Sequence, residues 1–197
     1  KTYILERGLY SKRKEEVTAA IPAVFGELPS DTMQDRLGLA RWLVDPENPL
    51  TARVTVNRLW SEIFGVGLVK SAENFGVQGD KPSHPELMDW LAETFVESGW
   101  DVKGFMKLIL MSATYRQSSI VTSGKLEKDP ENRYLSRGAR FRMPAWMIRD
   151  QALAAGGSLV AKLGGPPGKP YQPDATWEEF SVGNRKYKRD SGADRYT

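Results

Sequence analysis

Between residues 51 and 64, Val56, Leu59, Trp60 and Ile63 fall at i, i+3, i+4 and i+7, which gathers them on one helical face. Thr51 is the expected N-cap and Gly65 the stop. On this wheel Asn57 borders the apolar stripe beside Phe64 and is placed half-buried, while Arg58 lies nearly opposite, facing solvent or another element. The clearest pattern runs to about Ser98 and ends at Gly99. Leu87, Trp90, Leu91 and Phe95 form its expected buried face, and Glu86, Asp89, Glu93 and Glu97 its polar one. Two caps compete at its start. Ser83 with Glu86 fits a capping box, but Pro85 disfavours helical backbone at His84, so His84 as cap with Pro85 first in the helix is preferred. Asp101 caps the next helix. Val102, Phe105, Met106, Leu108, Ile109 and Leu110 cover most of its circumference, which predicts a helix buried at the centre of the core.

Two further helices frame these. One starts at Ser30 or Asp31 and runs to about Val44, ended by Asp45-Pro46-Glu47-Asn48-Pro49. The other begins at Pro144 and reaches about Leu159, with Gln151 on its apolar side and needing a partner if buried. Thr2 to Gly8 reads as a short strand, the charged stretch from Ser11 to Glu16 as a loop, and residues 19–29 as an extended connection. Glycine-rich residues 65–82, polar residues 117–132 and proline-rich residues 164–173 read as loops. The expected fold is mainly α, about five helices packed as an irregular bundle with minor extended segments. It is expected as one domain over residues 1–197, with an extended segment at 1–29, a helical core at 30–160 and a loop-rich tail at 161–197.

Composition narrows the classes. With 197 residues, 40% hydrophobic and 27% charged, the chain can bury a real core and is neither a disordered nor a membrane-spanning sequence. It has no cysteine, which excludes disulfides, a thiolate nucleophile, thiolate zinc sites and covalent c-type haem attachment in these residues. Net charge is only +3, so nucleic acid is not an expected partner. Basic residues concentrate at Arg133, Arg137, Arg140 and Arg142, and again at Arg185, Lys186, Lys188 and Arg189. Solvated loop charge is preferred there over an anion site.

A set of fixed spacings then stands out. Asn57-Arg58-Leu59-Trp60 is followed by Phe64-Gly65-Val66-Gly67-Leu68-Val69, Asn74-Phe75-Gly76 and Pro82-Ser83-His84-Pro85-Glu86-Leu87. Asp89-Trp90-Leu91-Ala92 and Ser112-Ala113-Thr114-Tyr115-Arg116-Gln117-Ser118 come next, with Phe141-Arg142-Met143-Pro144, Ile148-Arg149-Asp150-Gln151 and Lys169-Pro170-Tyr171-Gln172-Pro173 beyond. From about Leu37 onward these blocks resemble the planctomycete-specific C-terminal domain called PSD-one. The resemblance implies a module of unknown function in a large exported polypeptide, where a cytochrome-c-like haem module precedes it and the domain continues past Thr197. By that resemblance the setting is extracytoplasmic, periplasmic or at the cell surface. Haem c belongs to another module, and this segment needs no cofactor of its own. Members often carry histidine after the tryptophan of the Asn-Arg-x-Trp block. Ser61, Glu62 and Ile63 stand there instead, which weakens a metal role, and Trp146 replaces an often acidic residue.

Candidate chemistry centres on His84, the sole histidine. An imidazole there could accept a proton or hold a metal, but capping or packing is preferred, since its only guessed partners are Asp89, Arg116 and Arg149. His84, Asp89 and Arg116 are the candidate catalytic residues. Asn57, Arg58, Tyr115 and Arg149 are the candidate ligand-binding ones, and no metal site is expected. Arg149 with Asp150 suggests an internal ion pair. The regular carboxylates Glu86, Glu93 and Glu97 read as a solvated stripe, and the tryptophans as core packing. Gly164-Gly165-Pro166-Pro167-Gly168-Lys169 lacks phosphate-loop spacing, and Ser11-Lys12-Arg13-Lys14 lacks companion motifs. Three functions follow as expectations: a structural or ligand-binding module, a polysaccharide hydrolase or lyase, and an accessory to electron transfer. Expected partners are other domains of the same polypeptide and a polysaccharide or protein, with no membrane insertion.

Overall fold

A computed structural model describes residues 2–26, 34–162, 164–173, 176 and 187–197. It forms two compact units, Lys1–Phe141 and Arg142–Thr197. Among the described residues there are seven helices, five of them of seven residues or more, and one two-stranded sheet, so the fold is mainly α.

The first unit opens on a hairpin. Strand β1 (Thr2–Leu5) pairs antiparallel with β2 (Arg13–Val17), Tyr3 facing Glu16. The charged stretch expected as a loop is therefore largely a strand. Arg7 and Gly8 take left-handed backbone that turns the chain, and the Arg13 guanidinium lies 5.2 Å from the Tyr3 ring centre, so charged side chains flank the ladder without being buried.

Helix α1 (Arg36–Leu43) is capped by Asp35, whose Oδ1 accepts from the Gly38 N–H at 2.8 Å. The expected caps Ser30 and Asp31 lie outside the described residues. Asn48 joins α1 to α2 (Thr51–Phe64). Its amide donates to the Trp42 carbonyl, and its Oδ1 accepts from the N–H groups of Leu50 and Thr51 and from the Thr51 hydroxyl. Thr51 is thus the first helical residue and Asn48 does the capping. The segment read only as a terminator also starts the next helix.

Helix α3 (Pro85–Glu97) has His84 at its N-cap position and Pro85 first in the helix, as preferred. Its C-terminal end turns through Gly99 at φ 72°, and the Trp100 N–H returns to the Phe95 carbonyl at 3.0 Å. Helix α4 (Val102–Met111) is capped as expected by Asp101, and the short α5 (Ala113–Arg116) by Ser112. A further helix, α6 (Ser123–Lys128), lies within the stretch read as a polar loop. Thr122 caps it, and Lys125 anchors it on the Ser136 carbonyl.

Helices α2 and α3 pack against each other and carry the core: Val56, Trp60 and Phe64 from one, Met88, Leu91 and Phe95 from the other. Leu68 and Val69 enter from the connecting loop and Phe105 and Ile109 from α4. Fully burying each such side chain contributes about 1.5–3 kcal/mol, so this cluster is the main source of stability. Two expectations change. Trp90 is 51% exposed, because the face of α3 turned to α2 is built on Met88, Leu91, Ala92 and Phe95. Helix α4 is not central: Phe105 and Ile109 are buried, while Val102, Leu108 and Leu110 are exposed.

In the second unit, α7 (Ala145–Ala155) follows Pro144, and Gln151 on it is exposed. The helix stops at Gly156, short of the expected Leu159. Within this unit Val160 N–H donates to the Tyr196 carbonyl, and Lys169 and Asp190 exchange two hydrogen bonds.

Candidate functional site

Asn57 sits one position after Val56 on α2, where the helix faces the loop returning from Gly65. It is completely buried. Its Nδ2 donates to the Val69 carbonyl at 3.0 Å and its Oδ1 accepts from the Val69 N–H at 2.8 Å. One side-chain amide thereby does for Val69 what a neighbouring strand would do, satisfying both backbone groups inside an apolar core. Gly67 makes room for it. A Cβ there would stand 2.5 Å from Asn57 Nδ2 and 2.6 Å from Oδ1, closer than any real contact. Gly65 serves similarly on the other side, its bare α-carbon taking the Phe141 ring, with φ 79° as a second reason for glycine.

That geometry spans the chain's strongest sequence block. Residues 35–196 match the family described as PSD1, protein of unknown function (DUF1553). The chain belongs to that family. No curated protein and no solved structure matches it.

In this PSD1 chain the other candidate residues do not all meet. Arg58 is exposed, and among the described residues its guanidinium has no partner. His84 is half-buried at the start of α3, its Nδ1 3.0 Å from the Ser83 hydroxyl; the Ser83 N–H in turn donates to the Leu68 carbonyl. Asp89, one turn further along α3, accepts from Arg53 Nε at 2.7 Å, and Arg53 also donates to the Pro49 carbonyl. This is an exposed pair that ties α3 to the start of α2. Tyr115 on α5 sets its ring edge-on to Phe64 with centres 6.1 Å apart, and Arg116 next to it is exposed without a partner among the described residues. Arg149 belongs to the second unit. There its guanidinium donates to the carbonyls of Thr197 and Arg195 at 2.9 and 2.7 Å, while Asp150 is more distant at 3.4 Å. The expected ion pair is therefore secondary to carbonyl bonding, and Asp150 stays exposed.

Of the basic residues read as solvated charge, Arg140 and Arg142 are exposed as expected and Arg185 and Lys186 lie outside the described residues, but Arg133 and Arg137 behave otherwise. Arg133 forks onto the carbonyls of Gly67 and Leu68 at 2.9 and 2.8 Å, and Arg137, 6% exposed, onto those of Asp129 and Pro130. The buried Asp129 carboxylate accepts from the N–H groups of Arg133 and Tyr134 and shapes the loop. Nearby, Lys70 bonds both oxygens of Glu131 and holds its carboxyl below the usual range. No local signature foretells these arginines, because their partners are backbone carbonyls, some of them over sixty residues away. Asn48 was within reach, since Asn three residues before a helix-forming stretch is a capping signal.

Among the described residues no three His, Cys, Asp or Glu side chains gather into a metal-holding group, and no helix is long and apolar enough to cross a membrane.

Proposed function

We propose that this PSD1 chain acts as a structural and ligand-binding module of a larger exported, cytochrome-linked polypeptide. The observation that carries the reading is the Asn57 clamp: the most prominent polar residue of the motif block is spent on holding the Val69 backbone, with no atom left for a substrate. Asp89 and Arg149 are likewise engaged, by Arg53 and by carbonyls. The exported setting, and a haem c in another module, are parts of the same proposal and rest on family resemblance.

The alternative, a polysaccharide hydrolase or lyase, rests on His84, which is half-buried rather than enclosed. The test uses the full-length polypeptide and reducing-end release from a polysaccharide panel. As a module, the chain tolerates His84→Ala and Arg116→Ala without effect on any release, while Asn57→Ala lowers the thermal midpoint. Release that is abolished by His84→Ala at an unchanged midpoint overturns the module reading.

A further inference from the structure

In the second unit a cavity of about 230 Å³ is lined by Arg149, Lys169, Arg189 and Arg195, with Tyr171 and Tyr196 beside them. Four cations reach it from three separate stretches of chain, and among the described residues no carboxylate lines it. The backbone that carries them is tied down. Arg149 on α7 donates to the carbonyls of Arg195 and Thr197, and the Val160 N–H to that of Tyr196. Lys169 and Asp190 exchange two hydrogen bonds, and the Tyr187 hydroxyl donates to the Pro170 carbonyl. Three of the four cationic side chains take no part in this frame. Arg189 lies 5.8 Å from the Tyr171 ring centre, a contact that uses no N–H donor. Among the described residues neither the Lys169 ammonium nor the Arg195 guanidinium has a hydrogen-bond or ion-pair partner. All three residues are exposed. The carboxylates described in this unit are engaged elsewhere: Asp194 with Lys162 at 3.3 Å, Asp190 with the Lys169 N–H at 2.6 Å, and Asp150 at 3.4 Å from Arg149. In the first unit, by contrast, Lys70 and Arg53 meet Glu131 and Asp89. A concave surface of one sign of charge concentrates the opposite ion.

We infer that this cavity binds a doubly charged phosphate group, free or as the monoester of a larger molecule, on Lys169, Arg189 and Arg195, with Arg149 holding the Arg195 backbone in place. The inference rests on the ligand-binding side of the module reading and names a ligand class for it. A phosphate group carries a charge of about −2 and three strong acceptor oxygens, which suits three cations with free donors around one small space. Guanidinium forks also fit the edge of a tetrahedral oxyanion. A carboxylate brings one charge and two oxygens, and a neutral sugar brings no charge to meet the cations. The cavity is smaller than the roughly 300 Å³ at which drug-sized ligand sites begin, so it takes the anionic group and leaves the remainder of a larger molecule in water.

The test is calorimetric titration of the full chain with sodium phosphate and with glucose 6-phosphate, beside sodium acetate and glucose, at matched ionic strength. Phosphate and glucose 6-phosphate bind saturably, and added sodium chloride weakens both. Acetate and glucose do not bind. Arg189→Ala and Arg195→Ala each weaken binding about tenfold, the loss expected for one charge-assisted hydrogen bond, at an unchanged thermal midpoint. Lys107→Ala, which removes the same charge from an exposed position on α4, leaves binding as it was. Tighter binding of glucose 6-phosphate than of inorganic phosphate makes a monoester the ligand, and equal binding makes it the free ion; both uphold the site. Absence of saturable phosphate binding, equal binding of acetate, indifference to both arginine substitutions, or an equal loss with Lys107→Ala overturns the inference. The module reading stands or falls on the His84 and Asn57 variants of the first unit, so the two fail separately.

Discussion

Replacing Asn57 with alanine strips both partners from a backbone unit that water cannot reach, because Val69 is 2% exposed. Each buried group left without a partner costs about 1–3 kcal/mol, so Val69 N–H and C=O together predict a loss of about 2–6 kcal/mol, centred near 4. The void left by the amide works in the same direction. With a urea dependence of about 2 kcal/mol per molar, the unfolding midpoint falls by about 2 M at an unchanged slope. Asn57→Asp keeps the acceptor for Val69 N–H but, when ionised, turns charge toward the Val69 carbonyl. Burial raises such a carboxyl above its unfolded value, so its neutral form contributes stability that is present below about pH 4 and lost as pH rises. The Asp variant therefore recovers part of its deficit in acid, and the Ala variant does not. Gly67→Ala supplies the cross-check. Its Cβ collides with the Asn57 amide, so the two substitutions combine non-additively, Gly67→Ala costing less when Asn57 is already alanine. A midpoint shift below about 0.5 M for Asn57→Ala, equivalent to about 1 kcal/mol, refutes the clamp as a stabilising device.

The remaining expectations concern the surface and the core. Disrupting the Arg53–Asp89 pair, whose side chains are 39% and 59% exposed, costs at most about 1 kcal/mol, and in high salt less; chemical denaturation of Arg53→Ala at two ionic strengths reads this directly. Glu131 titrates below its ordinary 4.5 because of Lys70, so the pair contributes above that value and is lost as pH falls through the lowered one. Lys70→Ala therefore flattens the acid limb of the stability profile, as followed by circular dichroism. Trp60→Ala costs about 3–5 kcal/mol in unfolding free energy, whereas Trp90→Ala costs under about 1 kcal/mol, since only Trp60 is inside the core.

Most of the fold was readable where punctuation is chemical. Pro85, Gly99 and Asp101 each impose a local backbone state, and α3 and α4 begin and end where these residues require. Facing was harder to read. On α3 the residues Leu87, Met88, Trp90, Leu91, Ala92 and Phe95 make a stripe broad enough to be turned either way, and the choice of Met88 over Trp90 is made by packing against α2, which periodicity does not encode. On α4 an all-round apolar surface suggested a central helix, but only the Phe105 and Ile109 side meets the core. Asn57 was placed at the edge of burial by its position on the wheel. Its full burial depends on Val69, a partner twelve residues away whose need for hydrogen bonds is invisible until the loop closes. Arg133 and Arg137 were misread for the same reason, as charge alone does not reveal a carbonyl partner. Of the candidate residues, His84 and Asp89 fall where α3 was expected to carry them.

The two devices that bind the Gly67–Val69 loop differ in span, and this bears on the order in which the first unit folds. The Asn57 clamp closes a loop of 12 residues, whereas the Arg133 fork reaches back across 65 and 66. Closing the longer loop costs about 1.5 kcal/mol more in chain entropy. The α2–α3 hairpin with its clamp is thus the natural early structure, and the arginine arrives on a surface already formed. In kinetic terms the expectation is that Asn57→Ala chiefly slows refolding and Arg133→Ala chiefly speeds unfolding, as read by stopped-flow fluorescence.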